Sequence, residues 1–216
     1  IFLFEKEGNI IRPFIREGTE YFYAPEYVEK FPKLTTFAFF CDFNCDGKED
    51  IFAFAPGLGG MCVYKNVSTP LGGLAFNKIL NILNANYNPG NYNLYVAATD
   101  VPALADMDGD GDMDILSFES GGTLVRYFKN LSMDLYGTCD SLKFQLADNC
   151  WGKFREDAFS NYVLFPFSCK AATGYAETDG LLHSGSTLLS VDLDNDHDRD
   201  LILGDISSYN LLGLTN

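Results

Sequence analysis

The chain of 216 residues is long enough to bury a substantial core, and it carries 30 acidic against 15 basic side chains, a formal net charge of −15. That balance excludes nucleic acid and anionic membrane surfaces as partners, since both require a basic face. It contains no run of 18 apolar residues, and so no membrane-spanning helix is expected.

Taken in chain order, the predicted elements are short strands. Aromatic residues make up 15% of the chain, and 20 glycines punctuate apolar runs of four to seven residues, a pattern of strands and turns with little helix. Residues 1–14, "IFLFEKEGNIIRPF", resemble residues 51–64, "IFAFAPGLGGMCVY". Residues 1–33 therefore read as the end of a repeat whose acidic part precedes Ile1, and the chain reads as a window on a longer protein.

Residues 34–97 form the next unit: "LTTFAFFC", an acidic loop at 42–50, "IFAFA", a Gly turn, "MCVYKN" and "LAFNKIL". The Asn-rich stretch that follows, residues 81–93, lacks periodicity and reads as a long surface loop. Residues 98–186 repeat the order with "VPALA", a loop at 106–114, "ILSFE" and "LVRYFKN", then a long insertion at 133–186 containing three cysteines. Residues 187–216 begin a third copy with "TLLSV", a loop at 192–200, "LILGD" and "LLGLTN". Residues 42–68 and 106–132 align without a gap, matching Asp42 with Asp106, Asp50 with Asp114, and Lys65-Asn66 with Lys129-Asn130. An all-β fold follows, and radial repetition of such units predicts part of a β-propeller, about three to four blades.

Each acidic loop has oxygen-bearing side chains at positions 1, 3, 5 and 9: Asp42, Asn44, Asp46, Asp50; Asp106, Asp108, Asp110, Asp114; Asp192, Asp194, Asp196, Asp200. Carboxylates packed this closely repel unless a cation lies among them. Alternate oxygens around a tight turn suit a hard divalent ion of calcium's size, with the position-7 backbone carbonyl (Lys48, Asp112, Asp198) completing the set. About three Ca2+ sites are expected. Gly47 and Gly111 at position 6 supply a positive φ, and His197 replaces them in the third loop, a type that tolerates that conformation. An EF-hand is excluded because position 12 is Ala53, Ser117 or Leu203 where a bidentate Glu is needed, and because strands flank the loops.

Six cysteines, at 41, 45, 62, 139, 150 and 169, show no zinc spacing; disulfides and free buried thiols both remain open. Cys45, at position 4 of the first loop, is expected to point away from the ion and to be packed or disulfide-bonded. No catalytic constellation is expected: His183 beside Ser184 lacks a nucleophile elbow, and Glu156 and Asp157 read as solvated carboxylates. Trp151 and Phe154, and the Tyr and Asn cluster of 86–95, read as packing residues with a sugar platform as the alternative. Asn66 and Asn130 match glycosylation sequons yet occupy the repeat's own Asn, whose side chain is expected to bond a turn.

The D-x-D-x-D-G-x-x-D loop, followed by an apolar strand and "YKN" or "YFKN", resembles the FG-GAP/VCBS repeats. Those repeats bind calcium in β-propellers related to the integrin α head. The stretches "YFYAPEYVEKFP", "KNLSMDLYGTCDSL" and "CWGKFRED" are similar to secreted VCBS-repeat proteins of Bacteroidetes exported by type IX secretion. The resemblance implies an extracellular or cell-surface location. It further implies a non-catalytic module that binds a protein or glycan ligand, or serves as scaffold of a cargo recognised by the secretion machinery. The alternative is an accessory propeller domain of a secreted polysaccharide-degrading enzyme.

Overall fold

The computed structural model describes residues 1–157, 162–169, 186–206, 208–209 and 211–216. The fold is all-β, built from several open sheets that are antiparallel but for one short parallel pairing. Contacts divide the chain into two compact units, Ile1–Leu83 and Asn84–Asn216.

The first unit opens with β1 (Phe2–Glu5), β2 (Ile10–Glu17) and β3 (Glu20–Tyr23), a three-stranded meander. Its second sheet is a four-stranded meander of β4 (Ala38–Cys41), β5 (Asp50–Phe54), β6 (Met61–Asn66) and β7 (Phe76–Leu80). All five residues of β5 are buried, so both faces of the sheet are covered at its centre, which is why the sequence there is a continuous apolar run instead of an alternation. One face packs Ile51, Ala53 and Cys62 against Ile11, Phe31 and Leu34, and each fully buried large side chain contributes about 1.5–3 kcal/mol. On the other face Phe54 meets Phe37 edge-on with ring centroids 5.8 Å apart.

The second unit contains β8 (Asn84–Asn86), β9 (Asn91–Asn93), β10 (Ala103–Ala105), β11 (Asp114–Phe118) and β12 (Val125–Asn130). A five-residue helix α1 (Ser132–Tyr136) leads into β13 (Phe144–Asp148), and a two-residue pair follows, β14 (Arg155–Glu156) with β15 (Val163–Leu164). The last sheet is β16 (Ser186–Val191), β17 (Asp200–Asp205) and β18 (Leu211–Leu214). Its core joins Leu116, Phe118 and Val125 to Leu188, Leu201, Leu203 and Phe154.

Two expectations are corrected. The stretch 81–93 is not a plain loop: β8 and β9 form a hairpin closed by the Tyr87 N–H donating to Gly90 O at 2.8 Å, and β8 pairs in parallel with β13. Only Ala85 of β8 is buried, so strands this short and polar leave no alternation to read; pairing with β13 and the Tyr87–Phe128 ring contact hold them. This hairpin thus belongs with the second unit, not with residues 34–97. The supposed insertion 133–186 likewise contains the fourth strand of the second sheet, β13, matching β7. A longer connection carrying α1 displaces it from the alignment.

The repeats keep one register. Asp50 pairs with Cys41, Asp114 with Ala105 and Asp200 with Val191, so each acidic loop joins the first strand of its sheet to the second. The third and fourth strands slip register at Val63/Tyr64 and again at Tyr127/Phe128, equivalent positions of the two copies.

Candidate metal-binding loops

Within each loop the first Asp is an acceptor for the backbone that turns around it. The N–H of position 6 donates to its Oδ2 in all three copies: Gly47 to Asp42 at 2.7 Å, Gly111 to Asp106 at 3.1 Å and His197 to Asp192 at 3.2 Å. The position-7 N–H donates to the position-5 carboxylate at 3.1 Å in every copy, Lys48 to Asp46, Asp112 to Asp110 and Asp198 to Asp196. Two residues per loop take the left-handed conformation, Cys45 and Gly47, Gly109 and Gly111, Asn195 and His197. His197, at φ 78°, follows the path of the two glycines, so the third loop keeps the shape of the others despite its substitution. Position 4 was not anticipated; Gly109 and Asn195 there, both tolerant of positive φ, carried the signal.

Position 9 anchors the loop in the sheet. Asp50, Asp114 and Asp200 are buried, and each accepts the N–H of the Asn that ends the repeat, Asn66 at 2.6 Å, Asn130 at 2.7 Å and Asn216 at 2.9 Å. The second oxygen of Asp114 accepts the Met107 N–H at 3.0 Å and the Tyr127 hydroxyl at 3.0 Å, while that of Asp200 accepts the Leu193 N–H at 2.6 Å. Burial pushes the Asp114 carboxyl up to about 7; the charge of Asp108 adds to the rise, and the donors from Asn130, Met107 and Tyr127 oppose it. Asp50 is raised in the same direction, burial again leading.

Carboxylate oxygens of Asp106, Asp108 and Asp114 come within 4.8 Å of one another, as do those of Asp192, Asp194 and Asp200. Positions 1, 3 and 9 are thus brought together in the second and third loops. Asp110 and Asp196, at position 5, stand outside these groups and hold the turn through Asp112 and Asp198. In the first loop Asp42 and Asn44 both accept the Asp46 N–H, at 3.0 and 3.1 Å.

The donor set suits a hard cation: all oxygen, no thiolate or imidazole among the converging atoms. Buried Asp112, outside the converging group, has an Oδ1 that no hydrogen-bond donor reaches. The nearest fixed positive charge in the second loop is the Lys129 ammonium, 2.5 Å from Asp108, 2.8 Å from Asp134 and 3.3 Å from Asp110. Those carboxylates, Asp108 foremost, hold Lys129 firmly protonated. Lys65, its counterpart, lies 3.9 Å from Asp46, and Thr215 takes the place in the third copy. The Lys129 ammonium and the Arg199 guanidinium, whose Nε donates to Asp106 O at 3.0 Å, are two positive charges against six carboxylates (Asp106, Asp108, Asp110, Asp112, Asp114 and Asp134), so the cluster stays undercompensated and the residues present fit a divalent ion. Comparison with models of protein families, with curated proteins and with solved structures gave no match in any of the three.

Other site expectations resolve structurally. Asp112, expected to offer only its backbone carbonyl, is buried and accepts the Met133 N–H through Oδ2 at 2.8 Å, tying the loop to α1. Sequence reasoning missed this because α1 has no counterpart in the first copy. Cys45 is disulfide-bonded, Cys150 is bridged to Cys169, and Cys41 and Cys62 are free thiols. Asn66 Nδ2 donates to Glu49 O and Asn130 Nδ2 to Ser141 O, so both sequon residues are buried in turn-holding roles. Glu156 is not solvated: it is fully buried and accepts the Ser186 hydroxyl at 3.2 Å. His183 and Ser184 lie outside the described residues.

Proposed function

We propose that the chain is part of a calcium-stabilised β-propeller of the FG-GAP/VCBS type, acting as a non-catalytic binding or adhesion module of a secreted or cell-surface protein. The observation that carries this reading is the repetition of one loop, with one backbone path and buried position-9 anchor, between the first and second strands of three sheets. Calcium, when bound, supplies the charge that lets several carboxylates share one turn. The chain's residues do the rest: positions 1, 3 and 9 converge, the position-6 amide orients the first Asp, and the terminal Asn of the repeat fixes the ninth.

Radial arrangement is supported within the second unit, where the first strands of successive repeats run side by side. Val101 bridges Thr187 in parallel, with the Val101 N–H donating to Ser186 O and the Leu188 N–H to Val101 O, both at 2.9 Å. The Arg199 Nε donates to Asp106 O at 3.0 Å and links the third loop to the second. The Cys150–Cys169 bridge supports an oxidising compartment. Isothermal titration of metal-stripped protein with Ca2+ and Mg2+ tests the reading: saturable calcium binding, lost in stages as Asp106, Asp192 and Asp42 are replaced by Ala, is expected. Heat indistinguishable from dilution for calcium would reject it.

A further inference from the structure

The peptide that joins positions 1 and 2 of the second loop is held at both of its polar ends. Its N–H, on Met107, donates to Asp114 Oδ2 at 3.0 Å, and its carbonyl, on Asp106, accepts the Nε–H of Arg199 at 3.0 Å from 93 residues away. Asp106 and Asp114 are the first and ninth positions of that loop, and their carboxylate oxygens converge with those of Asp108. Arg199 therefore fixes the tilt of the peptide that ties two of the three converging carboxylates together. A second contact holds the same segment: the Ser190 hydroxyl, on β16, donates to Met107 Sδ at 3.4 Å.

Arg199 is itself position 8 of the third loop. It stands between Asp198, at position 7, and Asp200, whose carboxylate converges with those of Asp192 and Asp194. Five aspartates lie within nine residues there, and their mutual repulsion favours an opened turn unless a cation neutralises them. An opened turn displaces the backbone from which Arg199 reaches, and with it the bond to Asp106 O. The link is a property of this pair of loops and not of the repeat. Position 8 is Glu49 in the first loop and Met113 in the second, neither with a side-chain N–H to give.

We propose that Arg199 is a positioning residue for the second loop, through which a divalent cation held by Asp192, Asp194 and Asp200 strengthens the binding of another at Asp106, Asp108 and Asp114. The inference rests on the reading of the loops as calcium sites and adds that two of them fill cooperatively. Coupling between two binding equilibria is reciprocal, so the second loop strengthens the third by the same factor. Direct repulsion between two dications has the opposite sign, and the sign of the coupling therefore separates the two effects.

The test is a calcium titration of the metal-stripped 216-residue chain followed by amide NMR signals, Gly109 and Gly111 for the second loop, Asn195 and His197 for the third. Asp108 and Asp194 are the exposed members of their groups, so replacing either by Ala silences its loop and spares the buried anchor. Asp194→Ala is expected to weaken calcium binding at the second loop about fivefold, and Asp108→Ala to weaken it at the third by the same factor. In the Arg199→Met background both losses should vanish. A second-loop affinity unmoved or raised by Asp194→Ala would overturn the proposal. So would a loss that persists in Arg199→Met, or an Arg199→Met variant that lowers both affinities without changing their dependence on each other, as a merely structural role would. Two saturable but independent loops would leave the calcium reading standing and remove the coupling alone, whereas four amides indifferent to calcium would remove both.

Discussion

The N–H of Asn130 donates to Asp114 Oδ1 at 2.7 Å across sixteen residues of chain, and the same bond joins Asn66 to Asp50 and Asn216 to Asp200. The carboxylate that closes each acidic loop is therefore also the acceptor that fixes the end of the third strand. Loop charge and sheet register are coupled through one buried side chain.

Asp114→Ala is expected to destabilise the protein by about 3 kcal/mol or more even without metal, since it strips buried donors from Asn130, Met107 and Tyr127 of their acceptor. Asp110→Ala, whose carboxylate holds one loop amide and faces Lys129, should cost about 1 kcal/mol under the same conditions. Urea denaturation in chelator measures both, and equal midpoints would contradict the anchoring role of position 9.

Calcium is expected to raise the melting temperature and excess chelator to lower it. Each site contributes about 2.7 kcal/mol at a free calcium concentration one hundred times its dissociation constant. Differential scanning calorimetry on protein first shown to be loaded should reveal the shift, and coincident traces with and without chelator would speak against the loops as metal sites.

The pH dependence has opposite signs in the two forms. Asp114 has a folded-state pKa of about 7, above the ordinary 3.8 of an aspartate, so the metal-free folded state binds the extra proton between those values. Its stability should fall as pH rises through that window. Calcium requires the carboxylate, and so its affinity should weaken as pH falls below about 7. Asp114→Asn should flatten both trends in denaturation and titration series run from pH 5 to pH 8.

Asp112 and Asp108 should separate structure from ligation. Asp112→Ala removes the acceptor for the Met133 N–H and should destabilise the protein by about 1–3 kcal/mol, with faster amide exchange in Ser132–Tyr136. Asp108→Ala should instead lower calcium affinity with little change in that exchange. A reversal of these two signatures would mean that position 7 ligates through its side chain.

Lys129→Met removes the ammonium that competes for Asp108 and Asp110. Calcium affinity of the second loop should rise roughly fivefold, about 1 kcal/mol, and the gain should shrink with added salt. A weaker site in the variant would show that the lysine orients the carboxylates instead of competing for them.

Much of the loop was legible in the chain itself. The spacing of Asp106, Asp108 and Asp114, the Gly at 111 and the apolar run that follows require only local backbone geometry, and the ungapped match with residues 42–68 multiplied that signal. The hairpin Asn84–Asn93 and the strand Phe144–Asp148 were not legible as parts of one sheet, because a three-residue polar strand has no pattern of its own and exists by pairing with a distant partner. Glu156 looked like any charged loop residue until the fold placed it against Ser186.

By itself the sequence determined the repeat, the all-β class and the oxygen-rich turn, since periodicity, turn chemistry and charge spacing act over a few residues. Only the tertiary structure decided that Asp112 holds a helix and that Lys129 reaches across three carboxylates. These depend on which segments meet across tens of residues, and short-range preferences carry no record of such meetings.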